Sequence, residues 1–90
     1  MAKGLTVVTV KFFSLVREAL QVEQLVINLP HGVRTLADLK THLVELNGDH
    51  WRVVLFQANM VHALDHHVVD VDTPIKDGAE VAFFPPMTGG

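Results

Sequence analysis

The sequence predicts an α+β domain in which one amphipathic helix packs on one face of a small mixed β-sheet. Apolar and polar side chains alternate near both ends of the chain, which is typical of strands, and a leucine-rich segment between them has helical spacing. The length of 90 residues leaves room for a single domain, residues 1–90. Because a helix and a sheet each have one apolar side, packing them together lets so short a chain bury both.

Two strands and a short helical turn are predicted in the N-terminal third. Residues 5–13 alternate, and the side chains expected to share one face are Thr6, Val8, Val10 and Phe12. Residues 14–20 lose the alternation and contain better helix formers, so they predict a helical turn. Residues 25–29 alternate again, and Pro30-His31-Gly32 ends this second strand with turn-forming residues.

The main helix is predicted from Thr35 to Asn47. Thr35 can cap its N-terminus, and Asp38 places a carboxylate in the first turn, beside free backbone N–H groups. Gly48 predicts a left-handed stop after the last turn. The apolar stripe, at spacings of three and four residues, consists of Leu36, Leu39, Leu43 and Leu46.

The next part of the chain allows two assignments. By propensity, residues 51–56 read as a buried strand, but residues 60–64 compete for the same role. Asp65-His66-His67 predicts a turn before a short strand that contains Val68 and Val69.

A last strand is predicted to contain Val81 and Phe83 and to end at Pro85-Pro86. The order of elements is strand, strand, helix, one or two short strands, and strand. This order predicts the β-grasp, or ubiquitin-like, arrangement with a sheet of four to five strands. In it the first and last strands lie side by side at the centre, which explains why both are so apolar.

The composition excludes several classes of function. The chain has no cysteine, which rules out disulfides, thiolate metal sites and a cysteine nucleophile. A formal net charge of −3 argues against nucleic-acid binding, since that needs concentrated Lys and Arg. The N-terminus has no apolar signal-peptide core and no segment is long enough to span a bilayer. We therefore expect a cytoplasmic protein that binds no membrane.

Side chains that could hold a metal or act as a nucleophile do not form a convincing motif. His62 and His66 have the spacing of a helical zinc pair, but their segment is predicted as strand and turn, where the two rings lie too far apart. We therefore expect these histidines to belong to a solvated turn and not to a metal site. The aspartates between residues 65 and 77 lack the glycine and glutamate of a calcium loop. Ser14 is the only serine and has no elbow motif around it.

The C-terminal ending Pro85-Pro86-Met87-Thr88-Gly89-Gly90 has a chemical interpretation. Two prolines hold the chain extended beyond the last strand, and two glycines have no side chains. A flexible tail of this kind can enter a narrow channel and present its carboxylate inside another protein. We therefore divide the chain into a globular core, residues 5–84, and an extended reactive tail, residues 85–90. The carboxylate of Gly90 must be activated before it reacts, usually as an acyl-adenylate made from ATP.

The ending FFPPMTGG, preceded by DTPIKDGAEVA, resembles the small sulfur-carrier subunits of molybdopterin synthase. These subunits form the MoaD family of the MoaD/ThiS ubiquitin-like superfamily. Further matches are Phe12-Phe13 followed by Val16-Arg17-Glu18, the leucine-rich helix after a strand ending in Pro30, and Trp51 ahead of the third strand. A longer N-terminus and the polar His66-His67 turn depart from the family pattern, and neither affects the tail.

The resemblance also decides between the two assignments of the middle segment. It implies that residues 60–64 form strand three and that Val68 and Val69 belong to strand four. Residues 51–56 then form a helical turn or loop, against their propensity.

The resemblance implies a carrier that is not an enzyme by itself and binds no cofactor. An activating enzyme of the MoeB type, similar to those of ubiquitin, adenylates Gly90 with ATP, and a sulfur donor converts the carboxylate into a thiocarboxylate. The carrier then docks on the large synthase subunit, of the MoaE type, in a two-plus-two heterotetramer. There the sulfur attacks cyclic pyranopterin monophosphate. Two transfers build the dithiolene that later binds molybdenum or tungsten.

The implied partner-binding surface combines the solvent side of the sheet with the tail. Phe13, Val68 and Phe84 are expected to face away from the helix and to form an apolar patch there. Exposed aromatic side chains beside a tail are typical of a partner site. The tail residues expected at the same interface are Pro85, Pro86, Met87 and Thr88, followed by the reactive Gly89 and Gly90.

Three alternatives remain open at the level of the sequence. A thiamine-pathway sulfur carrier has a similar fold and the same terminal Gly-Gly, but its tails usually lack the Phe-Pro-Pro approach. A ubiquitin-like modifier would be joined to lysines through Gly90. A plain interaction domain would have an inert tail.

Overall fold

The computed structural model describes residues 6–85, which form five strands and three helices. In chain order the elements are β1 (Thr6–Phe12), α1 (Ser14–Leu20), β2 (Gln24–Leu29), α2 (Leu36–Asn47), α3 (Asp49–Leu55), β3 (Val61–Leu64), β4 (His67–Val69) and β5 (Glu80–Phe84). Each strand of the assignment that the family resemblance implies is present, and the boundaries that the structure describes differ by one or two residues. The predicted tail beyond Pro85 lies outside the described residues, as does Leu5.

The strands form one mixed five-stranded sheet in the order β2-β1-β5-β3-β4. The central strands β1 and β5 are parallel, with Val10 beside Val81 and Phe12 beside Phe83. The β1–β2, β3–β5 and β3–β4 pairs are antiparallel. The predicted β-grasp arrangement, with the first and last strands adjacent at the centre, is confirmed.

The core lies between the sheet and α2, and alternation in β1 decides which side chains enter it. Val8, Val10 and Phe12 are at most 1% exposed. The ring of Phe12 stacks on the ring of Phe83, with 5.8 Å between the ring centres. It makes a T-shaped contact with Trp51, with 5.6 Å between the ring centres. Contacts of this kind stabilise a core beyond the area that they bury.

The N-terminus of α2 has the predicted cap. The backbone N–H of Asp38 donates to Thr35 Oγ1 at 3.2 Å, and the backbone N–H of Thr35 donates to Asp38 Oδ2 at the same distance. The backbone N–H of Arg34 also donates to this carboxylate. These backbone donors, that of Arg34 first, lower the pKa of Asp38. The capping box of Thr35 and Asp38 therefore fixes the start of α2 at Leu36.

The predicted leucine stripe is wrong at its last member, because Leu46 is 60% exposed. On this face α2 buries Lys40 and Val44 together with the first three leucines. The buried arc is therefore rotated away from Leu46, which lies in the last helical turn.

The end of α2 also differs from the prediction. Gly48 has φ 104° and ψ 170°, which is not the left-handed helical conformation. It is the C-cap of α2 and also the N-cap of α3, so the chain passes directly from one helix to the next. Residues 49–55 are helical, which confirms the assignment implied by the family resemblance over the one from propensity. Trp51, Val54 and Leu55 face the core from this helix.

The turn between β3 and β4 has two residues instead of the predicted three. Leu64 pairs with His67, so only Asp65 and His66 lie in the turn, and both have positive φ. The Asp65 carboxylate accepts from the backbone N–H of Glu80 at 2.9 Å. This bond ties the turn to β5 and stabilises a conformation that non-glycine residues rarely adopt.

His62 contradicts the prediction that the histidines of this region lie in a solvated turn. Its side chain is buried, with 8% exposed, and lies edge-on to Phe83. Lys40 Nζ lies 3.0 Å from His62 Nε2 and 4.6 Å from the ring centre of Phe56. The ammonium therefore donates to a neutral imidazole, which leaves the ring proton on Nδ1. Burial, with the Lys40 charge second, lowers the pKa of His62 to about 4, and burial also lowers the pKa of Lys40.

We expect the protein to lose stability in mild acid because of His62. Its pKa rises from about 4 in the folded protein to the ordinary value of 6.5 on unfolding, so the unfolded chain binds the extra proton between these two values. The free energy of unfolding should therefore fall as the pH drops from 6.5 to about 4. The loss reaches up to roughly 3 kcal/mol at 1.36 kcal/mol per pKa unit. Urea unfolding across this pH range measures the slope.

Two variants separate His62 from the other titrating groups. His62→Gln should flatten the slope, whereas the same change at the exposed His31 should leave it intact. Lys40→Met removes the neighbouring charge, so the pKa of His62 should rise in an NMR titration. An unchanged slope in His62→Gln would contradict the assignment.

Candidate functional site

The sheet face opposite α2 carries a row of side chains from four strands. Lys11 pairs with Ala82, Ala82 with Ala63, and Ala63 with Val68. Paired residues point to the same side of a sheet, so these four lie in a line across it. Val68 is 76% exposed at one end of the row.

Phe13 and Phe84 lie next to this row. The backbone N–H of Phe13 donates to the carbonyl of Phe83 at 3.1 Å, which continues the parallel ladder one residue beyond β1. The rings of Phe13 and Phe84 therefore stack at 4.7 Å with 6° between their planes. Ser14, at φ 51°, then turns the chain into α1. Both rings are half-buried, and Pro85 directly follows.

Together these residues enclose a surface depression of about 350 Å³. It is lined by Lys11, Phe13, Ala63, His66, Val68, Glu80, Ala82 and Phe84, and we call it the sheet depression. Its floor is formed by Ala63 and Ala82, whose small side chains leave space between the larger ones at the rim. The structure thus brings Phe13, Val68 and Phe84 together on the face where the sequence placed them.

The floor and the polar part of the rim were not predicted from the sequence. Lys11 Nζ lies 3.4 Å from Glu80 Oε2, and His66 Nε2 lies 4.0 Å from the same oxygen. Glu80 therefore stands between two cationic or potentially cationic groups at one end of the depression. Ala63 and Ala82 are small residues in strands of larger ones, which is a sequence signal for a depression. Only the pairing of β3 with β5 shows that the two alanines lie side by side.

The chemistry of this site suits recognition of another protein. An apolar concavity with aromatic walls and a partly paired charged rim resembles the centre and edge of a protein interface. His62 lies on the core side of the sheet and His66 in the exposed turn, so they do not share a site. Within residues 6–85, no group of three His, Cys, Asp or Glu side chains is placed to hold a metal ion.

The predicted tail begins at the edge of the sheet depression. Pro85 is half-buried and follows Phe84 without a break. The remaining predicted site residues, Pro86, Met87, Thr88, Gly89 and Gly90, lie outside the described residues. Their roles stay predictions, as do the partner-binding roles of Phe13, Val68, Phe84 and Pro85.

A β-grasp sheet with one free face, an apolar depression on that face and a C-terminal segment beginning beside it define a small ubiquitin-like domain. The chain belongs to the ThiS family, whose model matches residues 10–90. A molybdopterin synthase sulfur carrier subunit from Haemophilus influenzae is 33% identical over 90% of this chain and 96% of that protein. The subunit of the same name from Escherichia coli is 34% identical over 92% of this chain and 99% of that protein. These relatives confirm the family resemblance and the expectation of a carrier subunit.

Solved structures agree with this placement. A putative molybdopterin converting factor subunit 1 from Pyrococcus furiosus has a TM-score of 0.72 and 26% identity, covering 91% of this chain and 99% of that one. The complex of subunits 1 and 2 of molybdopterin-converting factor from Helicobacter pylori contains a similar chain, with a TM-score of 0.65 and 28% identity over 94% of this chain and 100% of that one. SAMP1 from Haloferax volcanii, at 19% identity over 93% of this chain and 99% of that one, shares the fold with a TM-score of 0.78.

The helices in residues 6–85 are all too short or too polar to cross a membrane.

Proposed function

We propose that this chain is the sulfur-carrier subunit of a molybdopterin synthase and that the carboxylate of Gly90 carries the sulfur. The observation behind the proposal is the sheet depression beside Pro85, in a chain whose family match extends to residue 90. The names of the curated relatives support the choice of pathway. In this proposal the folded domain is recognised by the partner proteins, and its binding positions Gly90 for reaction.

Sulfur loading would proceed in two steps on the terminal carboxyl group. A carboxylate oxygen of Gly90 attacks the α-phosphorus of ATP in a MoeB-like activating enzyme, and pyrophosphate leaves. Sulfur at the oxidation level of sulfide then attacks the acyl carbon, and AMP leaves. The product is a thiocarboxylate. It is a better nucleophile than the carboxylate because the sulfur atom is larger and more polarisable than oxygen.

The loaded carrier would then dock on a MoaE-like large subunit through the sheet depression. Aromatic anchors in a desolvated pocket supply most of the affinity in interfaces of this kind, and here Phe13 and Phe84 are the candidates. The tail would enter the active site of the large subunit and transfer sulfur to cyclic pyranopterin monophosphate. The general acids and bases of that step would belong to the large subunit, in an assembly of two carriers and two large subunits.

Intact-protein mass spectrometry after incubation with the activating enzyme, ATP and a sulfide source tests the proposal. We expect the mass of the protein to increase by the difference between one sulfur and one oxygen atom. Fragmentation should place this increase at Gly90. Omitting ATP is the control, because an unactivated carboxylate does not exchange oxygen for sulfur. No gain under complete conditions would contradict the carrier function.

Two further outcomes identify the alternatives. Conjugates between Gly90 and lysines of other proteins would indicate a modifier. Deletion of the gene should abolish molybdoenzyme activity and leave thiamine synthesis intact, whereas the reverse pattern would assign the chain to the thiamine pathway.

A further inference from the structure

The two edges of the sheet differ in how they are protected from pairing with another strand. The edge strand β4 has three residues and is followed directly by Asp70. The other edge strand, β2, has six residues, Gln24–Leu29, and none of them is charged or proline. Natural sheets usually blunt an edge with short strands, charges, prolines or bulges. Within its six residues β2 has none of these features, and Glu23 and Pro30 lie directly outside its two ends.

The register shows which backbone groups of β2 are free. The backbone N–H of Phe12 donates to the carbonyl of Glu23, so these two residues form a hydrogen-bonded pair of the β1–β2 ladder. Such pairs alternate along an antiparallel ladder, which makes Leu25, Ile27 and Leu29 the residues bonded to β1. The backbone N–H and C=O groups of Gln24, Val26 and Asn28 therefore point away from the sheet. In the described part of the chain no strand pairs with this edge.

The side chains along this edge are also open to a partner. Gln24, Val26 and Asn28 are exposed on the face opposite α2, and Val26 is 67% exposed. On the other face, Leu25 and Ile27 are only partly buried against the core. An uncharged strand with apolar side chains on both faces is well suited to pairing with another strand of the same kind.

We propose that β2 is a self-association surface that pairs antiparallel with β2 of a second copy of this chain. Centring the two-fold axis on Val26 places all three outward-facing residues in hydrogen-bonded pairs. Gln24 then lies opposite Asn28 of the second copy, and Val26 lies opposite Val26 of the second copy. Each pair exchanges two backbone hydrogen bonds. The two sheets become one continuous sheet.

In this register the side chains of the two β2 strands are complementary. This complementarity is the reason for proposing a second copy of the chain as the partner of β2. The amides of Gln24 and Asn28 can hydrogen-bond across the strands, and the two Val26 side chains make an apolar contact. On the core side Leu25 lies opposite Ile27 of the second copy. No like charges face each other, since β2 carries none. The sheet depression lies across β1, β5, β3 and β4, so it stays open in the dimer.

Sedimentation equilibrium of the full chain over a concentration series tests this association. We expect the apparent mass to rise from the monomer value toward twice that value. Val26→Lys should keep the mass at the monomer value, because it places two ammonium groups against each other at the two-fold axis. Val68→Lys, at a similarly exposed strand position outside β2, is the matched control and should dimerise like the parent chain.

A single-cysteine variant locates the contact. Since the chain has no cysteine, Val26→Cys introduces the only thiol, and a short bismaleimide should cross-link it into dimers. Val68→Cys should give far fewer. Circular dichroism checks that each variant is folded. Two results would overturn the proposal: a monomer at every concentration, or equal cross-linking at positions 26 and 68. A monomer at every concentration would leave β2 as a pairing edge for a different protein.

Discussion

Adding one alanine after Gly90 is expected to abolish sulfur transfer completely while leaving the melting temperature unchanged. The proposed mechanism uses a single reacting group, the terminal carboxylate, and the extra residue moves that group one residue away from Gly90. Deleting Gly90 should have the same effect, because the carboxylate then falls short by one residue. The described core residues are untouched by either change, so stability should be retained. Thiocarboxylate formation and molybdopterin synthesis are the two measurements.

Matched variants make this result specific. One alanine inserted after Met1 lengthens the chain equally and should leave transfer intact. Gly90→Ala keeps the carboxylate in register and adds only a methyl group, so its loss of activity reports the width of the partner's channel. Full activity in the extended chain would contradict a reactive terminus. A large drop in melting temperature would show that the tail is part of the folded structure.

Replacing Phe84 with alanine is expected to weaken binding to the large subunit by roughly 30-fold or more, as removal of an aromatic anchor worth at least 2 kcal/mol does. The change removes the ring that stacks on Phe13 at 4.7 Å and opens one wall of the sheet depression. Because Phe84 is only half-buried in the free chain, the loss of stability should be small. Titration calorimetry with the large subunit measures the affinity.

The neighbouring residue provides the contrast. Phe83 is 0% exposed, so Phe83→Ala should cost about 3–5 kcal/mol of unfolding free energy. Val26→Ala removes exposed apolar area from the edge strand β2, outside the sheet depression, and should leave the affinity for the large subunit unchanged. Equal losses of affinity in Phe84→Ala and Val26→Ala would show that the sheet depression is not the docking site.

Local signals along the chain predicted most of the fold. Alternation in β1, β2 and β5 assigned both the strands and their inward faces, and Thr35 with Asp38 placed the start of α2 correctly. Such signals work because the interacting groups lie within four residues of one another. Where the signal conflicted, over residues 51–56, propensity favoured a strand and the chain forms a helix. Burial of Trp51, Val54 and Leu55 against the core outweighs the preference of these side chains for a strand.

The candidate site was predicted in part. Phe13, Val68 and Phe84 were placed on one face from a strand assignment that used the family resemblance for β4, and the structure brings them together around the sheet depression. Ala63 and Ala82 were not predicted, since two alanines form a floor only when β3 and β5 pair in the observed register. Glu80 was missed for the same reason, because its contacts with Lys11 and His66 join three separate parts of the chain.

The sequence by itself determined the strands β1, β2 and β5, the capped start of the main helix and the glycine-ended C-terminus, since each depends on a few consecutive residues. Only the tertiary structure decided that His62 is buried against Lys40, that Leu46 is exposed, and that β2 presents an unprotected edge. These properties depend on which residues from distant parts of the chain become neighbours. That is decided by the packing of α2 on the sheet and by strand register, neither of which can be read from local spacing.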